Sequence, residues 1–121
     1  MADKLLIVLS NCDITNVREI TPPLVQATVA AAMEYEVELL FTGQASQLVV
    51  RGVADKLINP AEQKSVYDYI CAAKMAGVMI KVCTPSMEDW QDELISQIDE
   101  TVGSAYMINE AMDDSVVTLT Y

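Results

Sequence analysis

Four short apolar runs, separated by stretches of helical character, constrain this chain more than any other feature. They are KLLIVLS (4–10), EVELLFT (36–42), VMIKVC (78–83) and SVVTLT (115–120). Each has strand length, and the first is apolar at successive positions rather than alternate ones, as in a strand buried on both faces. Strands that alternate with helices pair in parallel through crossover connections. The expected fold is α/β: a three-layer sandwich around a mostly parallel sheet of four or five strands. The 121 residues fit a single domain spanning 1–121.

The intervening segments carry helix signals of differing quality. Pro22-Pro23 stands where a helix can begin, since the first helical N–H groups have no partner to lose, and the helix is expected over Leu24–Tyr35. Gln44–Val50 reads as a short helix, and Val53–Ile58 is ambiguous. Asn59-Pro60 is expected to open a helix that runs to Ala76, with Gly77 as its C-terminal cap. Thr84-Pro85-Ser86 reads as a turn. Ser86 followed by Asp89 resembles a capping box and predicts a helix from near Met87 to about Gln97. Thr101–Gly103 reads as a break, and Ser104–Met112 as the last helix.

Composition excludes several classes of function. The net charge is −11 with only seven basic residues, so a nucleic-acid partner and an anionic membrane surface lack their electrostatic footprint. No histidine is present, which removes Ser-His-Asp and Cys-His catalysis and imidazole-held metals. The three cysteines, Cys12, Cys71 and Cys83, are odd in number and show no CxxC spacing, which argues against a disulfide framework and a zinc site. No apolar stretch approaches a membrane span, and the opening run is too short for a signal peptide. A cytoplasmic protein with reduced thiols is expected, and the apolar fraction of 52% points to self-association. No glycine-rich loop follows the first strand, so no dinucleotide cofactor is expected.

In open parallel sheets, chemistry gathers at the carboxyl ends of the strands. Cys12 follows the first strand and Cys83 ends the third, which makes them the candidate site residues. Cys83 precedes a predicted helix start whose free N–H groups favour a thiolate. Lys81, two residues back, shares its face of the strand and is a possible electrostatic support, whereas Glu88 and Asp89 oppose ionisation. The plainer alternative is a small buried hydrophobe closing a strand. Cys12, in a polar loop expected to be exposed, is either a second thiol of the same mouth or an incidental residue. Cys71, among Ile70, Ala72 and Ala73, reads as core. Arg18 near the first loop is an anion-binding candidate or a solvated loop residue. Trp90 and Tyr106 are the notable late aromatics, suited to a pocket, an interface or the core.

Taken in order, CDITNVREITPPLVQATVAAAM, EVELLFTGQASQLV, AGVMIKVCTPSM, DETVGSAYMINEA and VVTLTY give the chain a resemblance along its whole length. It resembles the DsrE-like sulfurtransferase family, which includes the DsrE, DsrF and TusD-type proteins. The resemblance implies a flavodoxin-like fold, homo-oligomers (trimers or hexamers) and cytoplasmic sulfur relay. It also implies a cysteine at this strand end that carries sulfane sulfur as a persulfide and exchanges it with TusA-like or rhodanese-like proteins. That position is Cys83, and Cys12 matches no family motif. Such relay needs no cofactor and no metal. The rival expectations are an assembly or binding module of the same fold with an inert Cys83, and a flavodoxin-like binder of a small ligand.

Overall fold

The computed structural model describes residues 3–83 and 93–121. The chain begins with β1 (Lys4–Leu9), α1 (Val17–Ala32) and β2 (Glu36–Phe41), followed by 3-10 segments at Gly43–Val49 and Ala54–Lys56. The hairpin strands β3 (Ile58–Asn59) and β4 (Lys64–Ser65) lead into α2 (Val66–Ala76) and β5 (Met79–Cys83). The last elements are β6 (Glu100–Val102), α3 (Ser104–Ala111) and β7 (Val116–Thr120).

All four apolar runs form strands, and β6 joins them in a five-stranded sheet of order β6-β5-β2-β1-β7. Every pairing in it is parallel, with Ile7 beside Leu39, Phe41 beside Val82 and Cys83 beside Val102. The chain steps outward from β1 through β2 and β5 to β6, then returns through α3 to place β7 on the other side of β1. The side-chain alternation of the strands sorts the two faces. Ile7, Leu9, Val37, Leu39, Phe41, Ile80 and Val82 bury against α1 and α2 in the main core. Leu6, Val8, Leu40 and Val102 form a smaller cluster on the opposite face, with Tyr106 and Met107 of α3 packed on it. The result is the expected α/β three-layer sandwich. Among the described residues, no helix is long and apolar enough to cross a membrane.

Several boundaries differ from the sequence expectation, each for a local reason. α1 starts at Val17, because the Asn16 side chain accepts a hydrogen bond from the Arg18 N–H and caps the helix there. Pro22 and Pro23 therefore lie inside α1 rather than at its start. The helix expected from Asn59-Pro60 begins only at Val66. The Asn59 carboxamide accepts from the Ala61 N–H and turns the chain, Gln63 takes a left-handed conformation, and β3 pairs with β4. Ser65 and Asp68 then form a reciprocal capping box that starts α2. Gly77 ends α2 at φ +105°, as its position implied.

The helix start near Met87 and the Thr84-Pro85-Ser86 turn lie outside the described residues. Residues 94–97, where that helix was expected to end, are not helical: Leu94 bridges Val50 in antiparallel fashion and the Ile95 N–H donates to the Val49 carbonyl. The expected break at Thr101–Gly103 is largely β6. Three residues with one inward apolar side chain are too few to show a period, so that strand is visible only through its partner.

Candidate functional site

Cys83 closes β5 at the carboxyl edge of the sheet. Ile80 and Val82 bury in the α1/α2 core, so Lys81 and Cys83 face the α3 side. The residue is 8% exposed. It is in register with Val102, after which Gly103 starts α3 directly.

Lys81 shares that face, but its charge is held elsewhere. Its Nζ donates to Glu38 Oε1 at 2.9 Å and to the Tyr106 hydroxyl at 2.8 Å, and lies 3.3 Å from Glu100 Oε1. The Tyr106 hydroxyl in turn donates to Glu38 Oε2 at 2.6 Å. Lys4 joins from β1, 2.8 Å from Glu38 Oε1 and 3.0 Å from Glu110 Oε1. Both lysines also lie over the Tyr106 ring, with Lys81 4.5 Å from its centroid. One carboxylate on β2 thus gathers two ammonium groups from its two neighbouring strands and a phenol from a helix.

The electrostatics follow from this geometry. Burial pushes the Glu38 carboxyl up, but hydrogen bonds from Lys4, Tyr106 and Lys81 together outweigh it and hold it below the usual carboxylate range. Burial disfavours the charge on Lys4 and Lys81, and their partners more than compensate, so both stay protonated beyond the ordinary lysine range. Burial and then the Glu38 carboxylate raise the Tyr106 phenol. Sequence reasoning missed Glu38, Lys4 and Glu110, and placed Tyr106 only as an aromatic. A signal existed: Lys4, Glu38 and Lys81 are charges within three mostly apolar strand runs.

Cys12 is not brought to Cys83. It is 5% exposed and packs in the α1/α2 core, so its loop is closed rather than open as expected. Gln44 Nε2 donates to the carbonyls of Asn11 and Cys12 and draws that loop onto the segment after β2. Gly43 is required there: it has φ +57°, and a Cβ would meet the Ser10 carbonyl oxygen at 3.2 Å. Burial pushes the Cys12 thiol up, and the Glu19 and Asp13 carboxylates add to the effect. Cys12 lies in the loop after β1 and Cys83 ends β5, and these two strands flank β2, a separation of roughly 9.5 Å. A disulfide tolerates about 7 Å between Cα atoms. Cys71 is half-buried rather than core, with Gln97 Nε2 donating to its Sγ at 3.5 Å.

The entrance of α1 offers no phosphate cradle. Asp13 Oδ1 accepts from the Thr15 N–H and hydroxyl, Glu19 Oε2 accepts from the Asp13 N–H, and Asn16 caps the helix. Carboxylates occupy the place an anion would need, and Arg18 is exposed beside them. Trp90 lies outside the described residues. Concavities lie elsewhere on the surface of the described residues. One of about 410 Å³ is lined by Arg51, Asp55, Tyr67 and Ser96 among others. Another, of about 680 Å³, runs between α1 and β7 past Val25, Val29, Met33, Tyr35 and Val117.

The fold can be set beside known proteins. It is similar to BT1422 of Bacteroides thetaiotaomicron, a conserved protein of unknown function, with TM-score 0.67 and 16% identity over 98% of this chain and 95% of that one. It is similar to the ychN protein of E. coli, with TM-score 0.65 and 15% identity over 98% of this chain and 100% of that one. No curated protein matches by sequence. The model of the DsrE/DsrF-like family matches residues 5–119, from the first strand to the last. With both helical layers, Cys83 and all of the five sheet strands but Lys4 and Thr120 inside that match, the chain belongs to the DsrE/DsrF-like family.

Proposed function

We propose that this protein is a cytoplasmic sulfur-relay protein in which Cys83 carries sulfane sulfur as a persulfide. Membership of the DsrE/DsrF-like family points to a sulfur-relay-type role. The observation that carries the finer reading is the position of Cys83: of the three cysteines, it alone ends a parallel strand at the carboxyl edge of the sheet. Cys12 is packed in the core and Cys71 sits within α2.

The chemistry is a sulfur exchange without net oxidation. The Cys83 thiolate attacks the terminal sulfur of a donor persulfide. A bond forms between Cys83 Sγ and that sulfur, the donor's S–S bond breaks, and the donor's own sulfur leaves as a thiolate. Transfer to an acceptor thiol runs the same step in reverse. The donor and acceptor are TusA-like or rhodanese-like proteins, and neither histidine nor metal is needed.

The protein acts as a homo-oligomer, a second copy covering the groove between α1 and β7. Among the described residues nothing pairs with the outer edge of β7, and VVTLT contains neither the charge nor the proline that usually protects an edge. Val29, Met33, Tyr35 and Val117 are exposed along it. Among the described residues lining the groove, Lys4 is the only charged one, and Glu38 and Glu110 neutralise it. Two copies of net charge −11 thus meet there without opposed carboxylates.

The 8% exposure of Cys83 favours one rival, an assembly module with an inert thiol. Incubation with a polysulfide or a persulfide donor, followed by intact-mass measurement, separates the two. Added sulfur that persists in Cys12→Ser and vanishes in Cys83→Ser is the expected result. Full loading of Cys83→Ser, or none in the wild type, refutes persulfide carriage on Cys83.

A further inference from the structure

The geometry points to Tyr106 and Glu38 as positioning residues that fix the rim of the Cys83 site by clamping α3 onto the sheet. The inference rests on the reading of Cys83 as the sulfur-carrying thiol. α3 is a weakly seated element. It has eight residues and none of them is buried. Among the described residues, its apolar hold is that of Tyr106 and Met107 against Leu6, Val8, Leu40 and Val102. What it has instead is the polar clamp. The Tyr106 hydroxyl sits between Glu38 Oε2 at 2.6 Å and Lys81 Nζ at 2.8 Å, and Glu110 one turn later reaches Lys4 at 3.0 Å. These bonds tie one helix to β1, β2 and β5 together.

The clamp meets the thiol through connectivity. Cys83 is in register with Val102, and only Gly103 separates Val102 from α3. The first turn of α3 therefore cannot shift without moving the chain beside Cys83. Gly103 has no side chain to cap that turn, whereas α1 and α2 are capped by Asn16 and Ser65. Lys81, two residues from Cys83 on the same face, is held by the same phenol and carboxylate. Among the described residues, the charged or titratable groups on this face are Lys81 from β5, Glu38 from β2, Glu100 from β6, Lys4 from β1, and Tyr106 and Glu110 from α3. A clamp that seats α3 thereby sets both the access to the thiol and the charges around it.

The test is the pH profile of alkylation at Cys83, read by peptide-resolved mass spectrometry after timed exposure to iodoacetamide. Tyr106→Phe keeps the ring and removes the hydroxyl. It is expected to raise the high-pH plateau rate at least about threefold and to shift the midpoint by about half a pH unit, because access and local charge change together. Glu38→Gln keeps an acceptor for the phenol, so its plateau should fall between wild type and Tyr106→Phe. Tyr121→Phe is the control, since it removes a phenol bonded to Gln26 outside the clamp. It should leave both plateau and midpoint unchanged. If Tyr106→Phe does not fold, Glu110→Gln releases only the Lys4 tie and should shift the plateau in the same direction by less. A folded Tyr106→Phe or Glu110→Gln with the wild-type profile overturns the clamp, as does an equal change in Tyr121→Phe. Failure of wild-type Cys83 to take up sulfur would overturn the persulfide reading instead, and it is scored separately from alkylation.

Discussion

Glu38 is the residue on which most depends. It is 6% exposed and neutralises two ammonium groups that are themselves nearly buried. Removing the carboxylate leaves Lys4 with Glu110 and the Tyr106 hydroxyl, and Lys81 with Glu100 and the same phenol. Breaking a buried ion pair from one side costs about 3 kcal/mol, so Glu38→Ala should lower the unfolding free energy by roughly that amount in a denaturant titration. The same carboxylate sets an acid limit. Its folded-state pKa is depressed, so its stabilisation is complete above the unfolded carboxylate range and is lost as pH falls through that range toward the folded value. Lys4 and Lys81 are raised, so their contribution is complete below the unfolded lysine value of 10.5 and is lost only at more alkaline pH. Thermal unfolding of the wild type should therefore show Tm falling below about pH 4.5, and Glu38→Gln should flatten that acid limb. An acid limb of equal depth in Glu38→Gln would assign it to other carboxylates.

At the scale of elements, local chemistry decided boundaries that periodicity left open. α2 shows this best. The Asn59-Pro60 dipeptide and the later Ser65-x-x-Asp68 pattern are both start signals, and the second one begins the helix because its two hydrogen bonds are reciprocal. Ser65→Ala should cost about 1 kcal/mol and speed amide exchange in the first turn of α2 while leaving the sheet protected. An undiminished stability would mean that the β3–β4 hairpin alone holds the turn. α1 makes the same point from the other side: Asn16 caps it, and the prolines that suggested a start fall at its sixth and seventh residues. The strands β1, β2, β5 and β7 were legible because each lies in a mostly apolar or β-branched run of strand length, bounded by turn and helix signals. β6 was not, since its identity comes from pairing with β5.

For the whole molecule, the surplus of apolar residues has a location. One face of β7 and the outward side of α1 leave Val29 and Met33 more than half exposed, and Val117 45% exposed, in a chain otherwise rich in carboxylates. A helix on that side of β7 would cover them in a sandwich with both faces dressed, and among the described residues none does. Val29→Glu should shift the sedimentation velocity distribution toward monomer at micromolar concentration without lowering the monomer's helical content. An unchanged distribution would remove this groove from the assembly.

The sequence by itself determined the α/β class, the parallel sheet, its four long strands and Cys83 at a strand end. These follow from short-range properties: strand-length apolar runs, helix punctuation and the absence of histidine. Tertiary structure alone decided that Cys12 turns into the core, that Lys81 spends its charge on Glu38 and Tyr106, and that α3 packs on the sheet face that carries Lys81. Those outcomes join residues as distant as Lys4 and Glu110, or Glu38 and Tyr106. Partners of that kind are chosen by which strands the sheet makes neighbours and which face each side chain takes, and neither is written in any single window of the chain.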